Sequence, residues 1–160
     1  MKIVTLCVPF LLSVASGAFS QNVQDSNTIV DNLKLPEGYQ TCVYGSIPHF
    51  AKAGKGKQTM IIIPGWGFDE AVFDDFTRLN RKRYTMFTIT IPGFGKTGAP
   101  PLPPIGTSYG DQYWNKGVIG GLLKLIEGEG LQKPVIVGHF VQGSQLALRM
   151  AIDFPEKIGA

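Results

Sequence analysis

With 160 residues, 44% of them hydrophobic and 17% charged, the chain has room for one domain with a sizeable core, which excludes a multidomain arrangement and a disordered tail-like chain. The formal charge of +3 comes from bases spread along the sequence: Lys52, Lys55 and Lys57 in a glycine-rich stretch, and Arg78, Arg81, Lys82 and Arg83 near a helix end. Cations in a last helical turn complement the helix dipole, so this pattern reads as solvated surface and speaks against nucleic acid as a partner.

The N-terminus, "MKIVTLCVPFLLSVASGAFSQ", reads as a cleaved export signal over residues 1–20. Lys2 supplies a positive start, Ile3 to Val14 an apolar run, and Ala18-Phe19-Ser20 a small-x-small site before Gln21. As a membrane span the run is interrupted by Pro9 and falls short of the ~20 residues needed to cross a bilayer, so no span is expected after cleavage. Export to the periplasm or the exterior follows. Cys42 is then the one remaining cysteine, which rules out an internal disulfide. His49 and His139 are too far apart in sequence to suggest a metal site.

Residues 21–38 are polar, end in Pro-Glu-Gly and read as an exposed leader to a domain spanning 39–160. "YQTCVY", Tyr39 to Tyr44, predicts a first strand, and "AKAGKGK" a flexible turn. "TMIII" is a continuous apolar run of the kind found in a parallel strand covered on both faces. "DEAVFDDFTRLNRKR" predicts a helix with Val72, Phe73, Phe76 and Leu79 as its apolar stripe. "YTMFTITI" predicts another strand. The prolines of "APPLPPIGTS" form a connector to a helix marked by Trp114, Val118, Leu122, Leu125 and Ile126, weakened by Gly117, Gly120 and Gly121. "PVIVG" predicts a third strand, and "SQLALRMAIDF" a helix that ends before Pro155. Strand–helix alternation of this kind implies right-handed crossovers and a parallel sheet.

Three turns carry the chemistry-bearing signals. "GFGKTG", Gly93–Gly98, fits a dinucleotide fingerprint, but the prolines after it cannot form the helix that would hold a pyrophosphate. Gly95-Lys96-Thr97 also fits the tail of a phosphate loop, yet Thr90 stands where that loop needs its first glycine. A strand-end turn is the better account. "IIIPGWGFD" has glycines on both sides of Trp66, which lets the backbone turn sharply and bare N–H groups suited to a developing oxyanion. "VIVGHFVQGSQLALRM" runs a strand through Gly138-His139 into a helix, with Phe140 next.

The order strand-"PGWG"-helix, strand-"PGFGKTGAP", helix, strand-"GH-x-x-x-G"-helix-"FPEKIG" resembles the α/β-hydrolase superfamily over roughly residues 58–160. It is most similar to the esterase, lipase and epoxide-hydrolase-like branches. The resemblance implies an α/β fold with a mostly parallel sheet, here incomplete, because the C-terminal strands and helices of a domain that runs to ~250 residues are not in this sequence. It also implies hydrolysis of a small apolar, ester-like or amide-like molecule without a cofactor or metal. Carried over by position, Trp66 and Val141 fall where the two oxyanion-hole N–H groups arise, and Phe140 falls where the nucleophile stands. Pro64 replaces the usual histidine before Gly65, Gln142 stands where glycine is usual, and the stretch from Gly-His to Pro-Glu is one residue longer than the family spacing, which leaves the elbow's register open.

A phenyl ring cannot serve as the oxygen or sulfur nucleophile that acyl transfer needs. Ser144 is the nearby hydroxyl, but it lies about one helical turn deeper and is expected to point along the helix. By the same resemblance His139 shapes the pocket and is not the general base. The family's acid and histidine come later in its chain order, and Asp153 and Glu156 read as helix-end surface charges. Two readings stand: a hydrolase-fold protein inactive as this chain, and a non-catalytic relative that uses the pocket for a ligand or partner. Alone, the strand at Val135–Val137 is expected to leave an open edge that invites self-association.

Overall fold

The computed structural model describes residues 22–23, 47–98, 102–103, 105–108 and 112–159. The expected signal at 1–20 and the expected strand Tyr39–Tyr44 lie outside the described residues. Within them the chain forms β1 (Asn22–Val23), β2 (Phe50–Ala53), β3 (Gln58–Ile63), a short 3₁₀ turn (Glu70–Phe73), α1 (Asp74–Asn80), β4 (Tyr84–Ile89), α2 (Tyr113–Gly128), β5 (Val135–Gly138) and α3 (Phe140–Asp153). The sheet order is β1-β2-β4-β3-β5. The three strands expected to form a parallel sheet are parallel: β3 pairs β4 from Gln58↔Tyr84 to Ile62↔Thr88, and β5 lies parallel on the other side of β3.

Asn22 and Val23 pair antiparallel with Lys52 and Ala51. One expectation about the N-terminal part is corrected. The "AKAGKGK" stretch was expected to be a flexible turn, yet its first half is strand, paired antiparallel with β4 from Phe50↔Ile89 to Ala53↔Met86. Burial of Phe50 in the core outweighs the turn propensity of its neighbours. The turn proper starts at Gly54, whose φ of +86° and closeness to the Tyr84 carbonyl, 2.1 Å from where a Cβ would be, require glycine.

Ile61, Ile63, Phe87 and Ile89 lie on one sheet face, by register and alternation, and pack with Val118, Ile119, Leu122, Leu125 and Ile126 of α2 and Leu146 and Met150 of α3. The three glycines do not interrupt α2, and all three are buried. By contrast, the stripe on α1 is corrected. Val72, Phe76 and Leu79 are exposed, Leu79 by 72%, and the buried residue of that helix is Thr77. Periodicity determines which side chains share a helix face, and burial requires something to cover that face.

β5 has β3 on one side. On its other edge Gly159 makes a single parallel bridge to Val135, with its N–H on the Pro134 carbonyl at 3.0 Å, and all four β5 residues are half-buried. Val141, Leu148 and Ile152 on α3 are exposed beside it. Among the described residues, no helix is long and apolar enough to cross a membrane.

Leu122→Ala, which empties a fully buried position, is expected to lower unfolding free energy by ~2–5 kcal/mol in urea denaturation. Leu79→Ala on the exposed stripe should stay within about 0.5 kcal/mol of the parent.

Candidate active site

β5 ends at Gly138, His139 continues extended (φ −108°, ψ 135°), and Phe140 turns to φ +58° as α3 begins. A positive φ at a phenylalanine costs of order 1–3 kcal/mol and persists only where neighbouring structure enforces it. Here three backbones are pressed together. A Cβ on Gly138 would lie 2.4 Å from the Gly143 carbonyl oxygen, and one on Gly143 would lie 2.3 Å from that of Ile63. The His139 N–H also donates to the Ile63 carbonyl at 2.9 Å. Helix α3 therefore starts at Phe140, four residues before the expected Ser144, because the corner itself supplies its first turn.

This geometry closes the register left open by the sequence. Phe140 is at the corner and 65% exposed. Ser144 is one turn inside α3, its hydroxyl 3.4 Å from the Gly138 carbonyl oxygen as donor.

The Pro64–Asp69 loop comes up beside this corner. Gly65 touches it directly, since a Cβ there would meet the Phe140 Cβ at 2.6 Å. Gly67 takes φ +85°, the Phe68 N–H donates to the Gly65 carbonyl at 3.2 Å, and the Asp69 carboxylate accepts from the Ala71 N–H at 3.1 Å, capping the 3₁₀ turn. Trp66 is 57% exposed, and Val141 is exposed as well. Neither the Trp66 nor the Val141 N–H has an acceptor among the described residues. Free N–H groups at a strand end and a helix start are able to bind a developing negative charge.

Aromatic rings surround the two loops. Trp66 meets Phe94 edge-on at 5.1 Å and Trp114 at 5.3 Å. His139 is set between Phe68 (5.6 Å) and Phe73 (5.2 Å), and Phe68 meets the Phe140 ring at 6.4 Å. Among the described residues the His139 Nδ1 is buried without a hydrogen-bond partner. Gln142 donates to the Asn115 Oδ1 at 2.9 Å and joins α3 to the start of α2. Phe68, Phe94 and Trp114 were not among the residues expected at the site. Phe68 and Phe94 stand inside the two glycine turns, which is the signal that could have found them, whereas Trp114 looked like one more residue of a core stripe.

"GFGKTG" is the strand-end turn that its prolines implied. The Gly93 N–H donates to the Gly98 carbonyl at 3.1 Å and the Thr97 N–H to the Phe94 carbonyl at 3.0 Å. Among the described residues no three His, Cys, Asp or Glu side chains are grouped to hold a metal ion.

Solved α/β-hydrolase structures superpose on this chain. An epoxide hydrolase from Vigna radiata superposes with a TM-score of 0.59 at 22% identity over 74% of this chain. The chain has the α/β-hydrolase fold. An α/β hydrolase from Novosphingobium aromaticivorans (TM-score 0.58, 20% identity, 71% of this chain) and an enol-lactonase from Burkholderia xenovorans (0.56, 16%, 69%) are also similar. The chain spans 36%, 38% and 40% of those three proteins respectively, so the likeness concerns part of the α/β-hydrolase fold. No protein-family model matches the sequence, and no curated protein matches it.

Gly143→Ala should destabilise the protein by at least ~1–3 kcal/mol, because its Cβ would strike the backbone of β3 and not a movable side chain. The drop in thermal midpoint measures it.

Proposed function

We propose that this chain carries the elbow-bearing part of a serine-hydrolase-type enzyme for small apolar, ester-like substrates, and that as this chain it does not catalyse the reaction. The observation that carries the reading is Phe140, held at φ +58° at the corner where α/β hydrolases expose their nucleophile. Its ring has no atom able to attack a carbonyl. The free N–H groups of Trp66 and Val141 form the oxyanion side of such a site and are independent of side-chain identity. Stabilising an oxyanion accelerates nothing when no nucleophile forms it. We further propose that residues 1–20 direct export and are removed, and that the β5 edge, bridged at Val135 by Gly159, supports self-association through its remaining length.

A second reading, ligand binding without catalysis, is favoured by two sets of rings, Trp66 with Phe94 and Trp114, and Phe68 with His139 and Phe140. Such a surface suits a flat, neutral, apolar molecule carrying a hydrogen-bond acceptor for the free N–H groups. Phe140 would then be a contact residue.

Incubation with a fluorophosphonate should leave the purified chain unlabelled by mass spectrometry. Stoichiometric labelling at Ser144 would overturn the inactive-hydrolase reading. Titration with 4-nitrophenyl acetate separates the two readings. Saturable quenching of tryptophan emission without release of nitrophenol, weakened by roughly 0.5–1.5 kcal/mol in Phe140→Ala, supports the binding reading. Absence of saturable quenching counts against it.

A further inference from the structure

Behind the Trp66–Phe94 wall lies a polar network that the site as described does not use. His49 is buried, just ahead of β2. Its N–H donates to the Thr97 hydroxyl at 3.0 Å, that hydroxyl donates to the Thr90 carbonyl at 2.6 Å, and the Thr90 N–H donates to the His49 carbonyl at 2.8 Å. From the 3₁₀ turn, the Glu70 N–H donates to the Thr90 hydroxyl at 3.3 Å, and the same hydroxyl donates to the Glu70 Oε2. The other carboxylate oxygen lies 3.4 Å from the His49 Nδ1, an electrostatic contact and not a hydrogen bond. Four segments thus meet: the approach to β2, the end of β4, the Pro64–Phe73 stretch that carries Trp66, and the Gly93–Gly98 turn that carries Phe94.

Glu70 is the one member of the network whose charge bears on both loops. Burial pushes its carboxyl up, but the Thr90 hydroxyl, its own backbone N–H and the attraction of His49 and Lys96 outweigh this and hold it below the ordinary glutamate value. The charged and titratable groups around it are His49 from the approach to β2, Lys96 from the Gly93–Gly98 turn and Asp69 beside it in its own loop.

We propose that Glu70 is a positioning residue of the candidate site: its carboxylate, through Thr90 and His49, holds the Trp66 loop against the Phe94 turn, and protonation lets the two part. The consequence for a ligand rests on reading this edge as a ligand site; the loop motion itself does not. A carboxyl lowered by folding contributes stability that is present above its unfolded value and lost as pH falls through the folded value. The contact therefore holds at neutral pH and fails on the acid side of the ordinary glutamate range.

The chain has two tryptophans, so Trp114→Phe leaves Trp66 as the sole tryptophan, selectively excited at its red edge, while keeping an aromatic ring beside it. Acrylamide quenching of Trp66 in this background, followed from about pH 7 to about pH 3 alongside far-UV circular dichroism, tests the inference without any ligand. The quenching constant should rise roughly twofold in a step that precedes loss of the dichroism signal. Glu70→Gln, which cannot change charge, should lack the step and quench more than the parent at pH 7. Asp69→Asn and His139→Gln should keep the step. A parent with no step separable from unfolding, or a Glu70→Gln variant that keeps it, overturns the proposal. Loss of ligand binding in a protein that retains the step would instead discard the ligand-site reading.

Discussion

The structure depends on the backbone contact between the end of β3, the end of β5 and the first turn of α3. Gly138 and Gly143 have no side chains to hold these three apart, and the Ile63 carbonyl lies against Gly143 while accepting from His139. That closeness leaves the chain no ordinary route from strand to helix, and Phe140 takes the left-handed conformation in consequence. Gly65, the residue that follows β3 and Pro64, is then drawn against the Phe140 side chain. One constraint thus sets the corner, the exposure of Phe140 and the approach of Gly65 to it. A side chain at either glycine would push them all out of place.

The corner presents a benzyl group. The surrounding residues fit that occupant: Phe68 lies edge-on to Phe140, and His139 is flanked by Phe68 and Phe73. The His139 imidazole packs among these rings with its Nδ1 buried. The strain at Phe140 and the aromatic packing belong together, since rings close to the corner offset part of the cost of the backbone.

Apart from the rings at the corner, apolar side chains are exposed on two helical stretches. Val72, Phe76 and Leu79 are open along the 3₁₀ turn and α1, and Val141, Leu148 and Ile152 along α3 beside the half-buried strand β5. Elsewhere the same kinds of residue are fully buried, as in α2, where a sheet face and a second helix close over them. The contrast is one of neighbours, not of composition.

Much of the architecture was legible in the sequence because its cause is local. Continuous apolar runs such as Met60–Ile63 require cover on both faces, which only a parallel interior strand receives, and glycine pairs around Trp66 and Phe94 mark turns that other residues resist. The resemblance of these motifs in their order to the α/β hydrolases agrees with the fold observed. What tertiary structure alone decided depends on contacts between segments distant in sequence. Strand pairing with β4 made Phe50–Ala53 extended although its glycine-rich surroundings favour a turn. The facing of α1 inward through Thr77 left its apolar stripe outside. The approach of Gly143 to Ile63 selected Phe140 over Ser144 for the corner, and the assembly of His49, Glu70, Thr90 and Thr97 joined four segments that no spacing rule connects. Local pattern specifies which conformations a segment can adopt, whereas the partner that approaches it selects among them, because burial and hydrogen bonding are gained only when that partner is present.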